Sequence, residues 1–165
     1  VGGIDYSDSM GNSFYISAGE VFMLHAPRGL VITLANPYED AMVNYLHLRV
    51  DMKAYTPLKI PFIFSADPEA KRNNFTEIIS PVICRDPALP FAISLARLDG
   101  RTDVVYTLRD ASGGFYAYSI QGAFEVQYRL LQPRDGLALW NVKEIEAEAL
   151  SNDAILLVVE LYEPA

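Results

Sequence analysis

The sequence predicts an all-β chain whose short strands close into a barrel or sandwich. Three observations carry this expectation. Short runs of β-branched and aromatic residues recur, separated by Gly, Pro, Asn and Ser. The turn signals return at intervals of roughly 8–12 residues, the rhythm of sandwiches and barrels. No amphipathic helix of useful length interrupts them. A hydrophobic fraction of 51% over 165 residues supplies enough apolar surface to offset the entropy of ordering, which excludes disordered and collagen-like classes.

In order, strands are expected at 14–16, 21–24 and 30–34, each rich in aromatic or branched residues. A loosely alternating strand is expected at 43–50. Pro57, Pro61 and Pro68 then mark a connector, because proline removes a ladder donor. Asp67 as cap and Pro68 at the first helical position predict one helical turn over 67–73. Strands resume at 76–80, 91–98, 104–108, 115–120, 123–130, 136–140, 143–149 and 154–162. The last contains Ile155-Leu156-Leu157-Val158-Val159, apolar on both faces, and so belongs in the middle of a buried sheet. Ser17-Ala18-Gly19-Glu20 and Pro133-Arg134-Asp135-Gly136 each feed a new apolar strand from a turn, a faint internal repeat consistent with two barrels in tandem.

The 13 basic and 21 acidic side chains leave a net charge of −8, which repels phosphate backbones and argues against nucleic acid as a partner. No apolar run of about 18 residues is present to cross a membrane, and no secretory leader pattern opens the chain. The chain begins at Val1 rather than Met, as expected of a sequence with a segment upstream. A single cysteine, Cys84, excludes an internal disulfide and fits a reducing cytoplasm.

Candidate chemistry is sparse. His25 and His47 are the only histidines, and a metal site needs three or four convergent donors, so both read as structural or surface residues. Cys84 beside Arg85 is a nucleophile candidate, set against the commoner role of a small buried hydrophobe. Glu144, Glu146 and Glu148 alternate with Ile145, Ala147 and Ala149, placing three carboxylates on one strand face, expected to be the solvated side. Gly113-Gly114 lacks the lysine and helix of a phosphate loop and reads as a hairpin turn. Asn74-Phe75-Thr76 matches a glycosylation sequon that a cytoplasmic chain does not use. Tyr106, Phe115, Tyr116, Tyr118, Phe124, Tyr128 and Trp140 crowd the second half, expected mainly as core, with a small apolar pocket as the lesser reading.

The order of these segments resembles the pirin family of bicupins. Ile4-Asp5-Tyr6-Ser7-Asp8-Ser9-Met10-Gly11-Asn12 is similar to its H-x-D-S-x-G-N hairpin. Ala18-Gly19-Glu20-Val21-Phe22-Met23 is similar to P-G-D-V-Q-W-M. Ala26-Pro27-Arg28-Gly29-Leu30-Val31-Ile32-Thr33-Leu34-Ala35-Asn36-Pro37 is similar to A-G-x-G-I-x-H-S-E-x-N-P. Leu46-His47-Leu48-Arg49-Val50 stands where the family has L-Q-I-W-I, and Tyr118 to Val126, Leu131 to Leu139 and Leu156 to Leu161 resemble its C-terminal cupin.

The resemblance implies two cupin (double-stranded β-helix, or jelly-roll) barrels: an incomplete N-terminal one over 1–60, a linker with a short helical turn over 61–90, and a C-terminal one over 91–165. It also implies an iron centre held by H-x-H and by the His and Glu of H-x-E. The H-x-H segment would precede Val1. The H-x-E positions fall on Ile32 and Leu34, which donate no lone pair. The expectation is therefore a cytoplasmic pirin-like protein with no metal or other cofactor and no catalytic residues. It would bind a protein partner or a small apolar molecule, through residues the sequence does not identify, and pair with a second copy of itself. A residual metal-dependent dioxygenase of the quercetinase kind, or a scaffold subunit for another cupin chain, is the alternative.

Overall fold

The computed structural model describes residues 2–51, 62–65 and 71–162. The chain divides into two compact units, Val1–Ala66 and Asp67–Ala165. Among the described residues the regular structure is all strand, as expected.

The first unit holds β1 (Ile4–Asp8), β2 (Ser13–Ile16), β3 (Glu20–Met23), β4 (Ile32–Ala35) and β5 (Phe62–Ser65). They form a three-stranded antiparallel sheet, β2-β1-β4, and a two-stranded sheet, β3-β5. Asp8 organises the β1–β2 turn. One carboxylate oxygen accepts the backbone N–H groups of Met10 and Asn12, and the other accepts the Asn12 amide and the Tyr6 hydroxyl. Gly11 takes the left-handed conformation this tight reversal requires, with φ +87°. The Tyr6 ring is buried and packs against Phe14 and Phe22 at 6.1 and 4.6 Å. Burial, then the Asp8 carboxylate, pushes the Tyr6 phenol up to about 12.

The second unit is a complete two-sheet sandwich. Its strands are β6 (Phe75–Ile79), β7 (Phe91–Leu98), β8 (Asp103–Thr107), β9 (Gly114–Gln121), β10 (Phe124–Val126), β11 (Arg129–Leu131), β12 (Gly136–Trp140), β13 (Glu144–Ala149) and β14 (Ala154–Leu161). A five-stranded sheet, β12-β9-β14-β7-β6, faces a four-stranded one, β11-β10-β13-β8, every pair antiparallel. Alternate residues point inward: Leu98, Phe115, Leu156 and Val158 from one sheet meet Phe124, Val126, Ile145 and Ala147 from the other. The apolar run 155–159 does occupy the middle of its sheet, between β9 and β7. At one end Arg72 binds Asp99 and Asp153 at 2.5 and 2.7 Å, and Arg97 adds a bond to Asp153 at 3.1 Å.

Three sequence expectations change. The strand expected at 43–50 is absent: residues 41–51 pair with no described strand, and Tyr45, Leu46 and Leu48 are exposed. The run 123–130 is two strands, β10 and β11, joined by a two-residue turn at Gln127 and Tyr128, both at positive φ (47° and 61°). Residues 61–90 are not simply a linker, because β5 pairs with β3 and β6 pairs with β7. Each apolar run there completes a sheet of its own unit, so the division falls after Ala66. Strand β1 carries no clear residue pattern, since Asp5, Ser7 and Asp8 dilute its apolar signal, and only the resemblance to a hairpin over 4–12 points to it. Pro57, Pro61, Pro68 and most of the expected helical turn lie outside the described residues, and 71–73 form a turn.

Candidate functional site

Ile32 and Leu34 lie on β4, in register with Asp8 and Tyr6 of β1. Because side chains alternate along strands, the two aliphatic residues share a sheet face with Tyr6 and its partner Phe14. Both are 37% exposed. That face carries apolar and aromatic side chains plus one carboxylate, Asp8, whose oxygens already accept four hydrogen bonds. Those bonds, the Asn12 amide foremost, hold the Asp8 carboxyl below the usual carboxylate range. A divalent iron or nickel ion requires several nitrogen, sulfur or oxygen donors converging within about 2–2.6 Å, and the donor set here does not fit one. His25 and His47 are exposed. Among the described residues no group of three or more His, Cys, Asp or Glu is arranged to hold a metal ion.

The other candidates resolve as follows. Cys84 is buried, its N–H donates to the Ser80 carbonyl at 2.9 Å, and burial pushes its thiol up. Arg85 does not activate it, so Cys84 is a poor nucleophile at neutral pH. Gly113 sits where a Cβ would collide with the Leu161 carbonyl oxygen, and Gly114 begins β9, so the pair is a close-approach turn and no phosphate loop. Asn74 is exposed at the entrance to β6, and Phe75 packs edge-on against Tyr106 at 5.1 Å.

Glu144 and Glu146 are exposed on the outer face of β13 and Glu148 is half-buried, as expected for a solvated side. Strand register adds two residues that sequence spacing does not place beside them. Glu125 and Asp103 flank Glu148 directly on the neighbouring strands, making a row of three carboxylates across the sheet. Arg101 pairs with Glu148 at 3.2 Å. The row borders an open groove of about 310 Å³ with Val105 and Tyr128.

The aromatic residues separate into two classes. Phe115 and Phe124 fill the sandwich interior, with Tyr106 packed on Phe115 at 5.7 Å. Tyr116, Tyr118 and Trp140 point outward, and Tyr128 is 84% exposed at its hairpin tip.

The sequence reading missed Glu160. It is fully buried on β14, on the inward face shared with Leu156 and Val158. Its carboxylate accepts the backbone N–H groups of Arg109 (2.5 Å) and Asp110 (3.0 Å) and the Tyr106 hydroxyl (3.1 Å). Burial, followed by the charge of Glu160, drives the Tyr106 phenol upward. Arg109 reaches on to Tyr162 and to Glu77. The signal was a lone acid at the end of an otherwise apolar run.

Known proteins place this architecture. Residues 91–161 match the family model described as the quercetinase C-terminal cupin domain. The fold is similar to YhaK from Escherichia coli (20% identity, TM-score 0.74, covering 98% of this chain and 72% of that one). It is similar as well to YhhW from Escherichia coli (20% identity, TM-score 0.73, covering 99% and 69%). A structure of YhhW, named there a bacterial pirin, in complex with nickel(II) gives 19% identity and a TM-score of 0.71. No curated protein matches. The second unit thus contains a stretch similar to a quercetinase C-terminal cupin domain, and the chain has a cupin fold like those of YhaK and YhhW.

Proposed function

We propose that this pirin-like cupin acts by binding, without a metal centre of the pirin type. The carrying observation is the donor chemistry of β4: Ile32 and Leu34, the residues the resemblance matches to H-x-E, lie on a sheet face whose one carboxylate already accepts four hydrogen bonds. The test is elemental analysis of purified protein after incubation with iron(II) and nickel(II), in which the proposal expects no stoichiometric metal.

A second reading is a residual metal-dependent dioxygenase. It is favoured by the quercetinase description of the model matching 91–161 and by the nickel(II) complex of YhhW. Retained metal together with oxygen consumption on a flavonol would establish it.

The partner surface proposed lies in the first unit, where Met10, Val31, Met42, Tyr45 and Leu46 are exposed, as is every residue of strand β4. A second copy of the chain, in the cytoplasm, is the proposed occupant, with another protein or a small apolar molecule as alternatives. Light scattering reads this directly: a dimer mass supports it and a single-chain mass overturns it.

A further inference from the structure

Two phenols meet on the first unit. Tyr15, on β2, and Tyr38, which follows β4, place their hydroxyl oxygens 2.8 Å apart. The Tyr38 oxygen also accepts the Gly3 backbone N–H at 3.1 Å. Tyr38 is held at its other end as well. Its N–H donates to the Asn36 side-chain oxygen at 3.0 Å, and the Asn36 amide donates to the Ala41 carbonyl at 2.7 Å. The residue is thus fixed at its backbone and at its hydroxyl, yet it remains 38% exposed.

Two glycines make this approach possible. A Cβ on Gly2 would meet Tyr38 Cε2 at 2.7 Å, and a Cβ on Gly3 would meet Tyr15 Cζ at 2.5 Å. Gly2 also holds φ +100°, which residues with a side chain rarely adopt. Both rings therefore rest against backbone that carries no side chain.

The arrangement favours one ionised phenol. A phenolate at Tyr38 receives the Gly3 N–H and the Tyr15 O–H together, and hydrogen bonds to the charged form of an acid stabilise that form. Asp5, directly across from Tyr15 on β1, opposes it as a like charge. The donors prevail: Tyr15 first and the Gly3 N–H second hold the Tyr38 phenol below its ordinary value. Tyr6, Tyr15, Tyr106 and Tyr162 are pushed the other way.

We infer that Tyr38 is the nucleophilic phenol of this chain, the position that takes an activated acyl group. The Tyr38 oxygen forms a bond to the carbonyl carbon. The bond from that carbon to its leaving group breaks, and the leaving group departs with the electron pair. The phenolic proton passes through water to the leaving group, and an aryl ester remains on Tyr38. A hydrogen-bonded phenolate is a weaker nucleophile than a free one, but, as with thiols, that loss only partly offsets the larger ionised fraction. Exposure alone would rank the tyrosines differently, since Tyr45 is 60% and Tyr128 84% exposed. The inference stands apart from the metal-free binding reading, because none of its residues belongs to β4 or to the proposed partner surface.

N-acetylimidazole, a phenol-selective acetyl donor, tests it on the full chain at about pH 7.5, with mass spectrometry reading acetylation at each tyrosine. Tyr38 is expected to react about threefold or more faster than Tyr128, against the order of their exposure. Tyr15→Phe removes one donor and should slow Tyr38 by about threefold or more, with the rise of its rate displaced to higher pH. Asp5→Asn removes the opposing charge and should speed Tyr38 instead. Tyr128 is the internal reference in every variant, and a general loss of structure would not move the two variants in opposite directions. A Tyr38 rate no faster than that of Tyr128, an unchanged Tyr38 rate in Tyr15→Phe, or shifts of the same sign in the two variants would overturn the inference.

Discussion

The buried carboxylate of Glu160 accepts the backbone N–H of Arg109, so the last strand of the second unit anchors the loop that joins β8 to β9. Asp110 N–H and the Tyr106 hydroxyl share the same carboxylate. A buried anion persists only when its desolvation is offset by such bonds. Glu160→Ala removes the acceptor from three donors at once and is expected to destabilise by about 3–5 kcal/mol. Glu160→Gln keeps one acceptor oxygen and should lose about 1–3 kcal/mol. Urea unfolding measures both, and a cost for Glu160→Ala below that of Glu160→Gln would refute the anchoring role.

Gly113 makes a second claim about the same loop. A methyl group there meets the Leu161 carbonyl, a backbone atom fixed by the β14 ladder. Gly113→Ala is expected to cost about 1–3 kcal/mol by overpacking. The neighbouring exposed Ser112→Ala serves as the comparison, and equal midpoints for the two variants would contradict this geometry.

Asp99 and Asp153 are both held below the usual carboxylate range, chiefly by the Arg72 guanidinium. A depressed folded-state pKa contributes stability that is fully present above the unfolded value, about pH 4, and is lost as pH falls through the folded value. The stability difference between the native chain and Arg72→Ala should therefore be largest near neutrality and shrink toward about pH 2. A difference independent of pH would mean that Arg72 acts by packing alone.

The phenols of Tyr6 and Tyr106 shift the other way. Tyr6 rises to about 12, by burial first and Asp8 second, and Tyr106 rises by burial and the nearby Glu160. A raised folded-state pKa for a neutral acid gives stability present below the unfolded value of about 10 and lost as pH climbs through the folded one. Tyr6→Phe should cost about 0.5–1.5 kcal/mol at neutral pH and flatten the loss between about pH 10 and 12. An unchanged alkaline unfolding curve in Tyr6→Phe would contradict the shift.

Much of the second unit was legible because its signals are local. Apolar runs over 91–98 and 154–161 and turn residues near 122 and 133–135 mark strands without reference to distant sequence. The first unit was harder to read. The pattern at 43–50 alternates like a strand, yet a strand exists only where another offers its edge, and no described strand does. The break within 123–130 was hidden because Gln127 and Tyr128 are not the residues that usually accept positive φ. The row Glu125–Glu148–Asp103 and the anchor at Glu160 both depend on register between distant strands, which spacing along one strand cannot supply. The sequence places Ile32 and Leu34 by resemblance alone, whereas their register with Asp8 and Tyr6 across the sheet needs the structure.

The central claim is that this cupin binds without a pirin-type metal centre, and the metal content of the purified chain tests it most directly. After incubation with iron(II) or nickel(II) and removal of excess, elemental analysis should find metal far below stoichiometric amounts, and Ile32→His with Leu34→Glu should raise it. One tightly retained ion per native chain would contradict the claim.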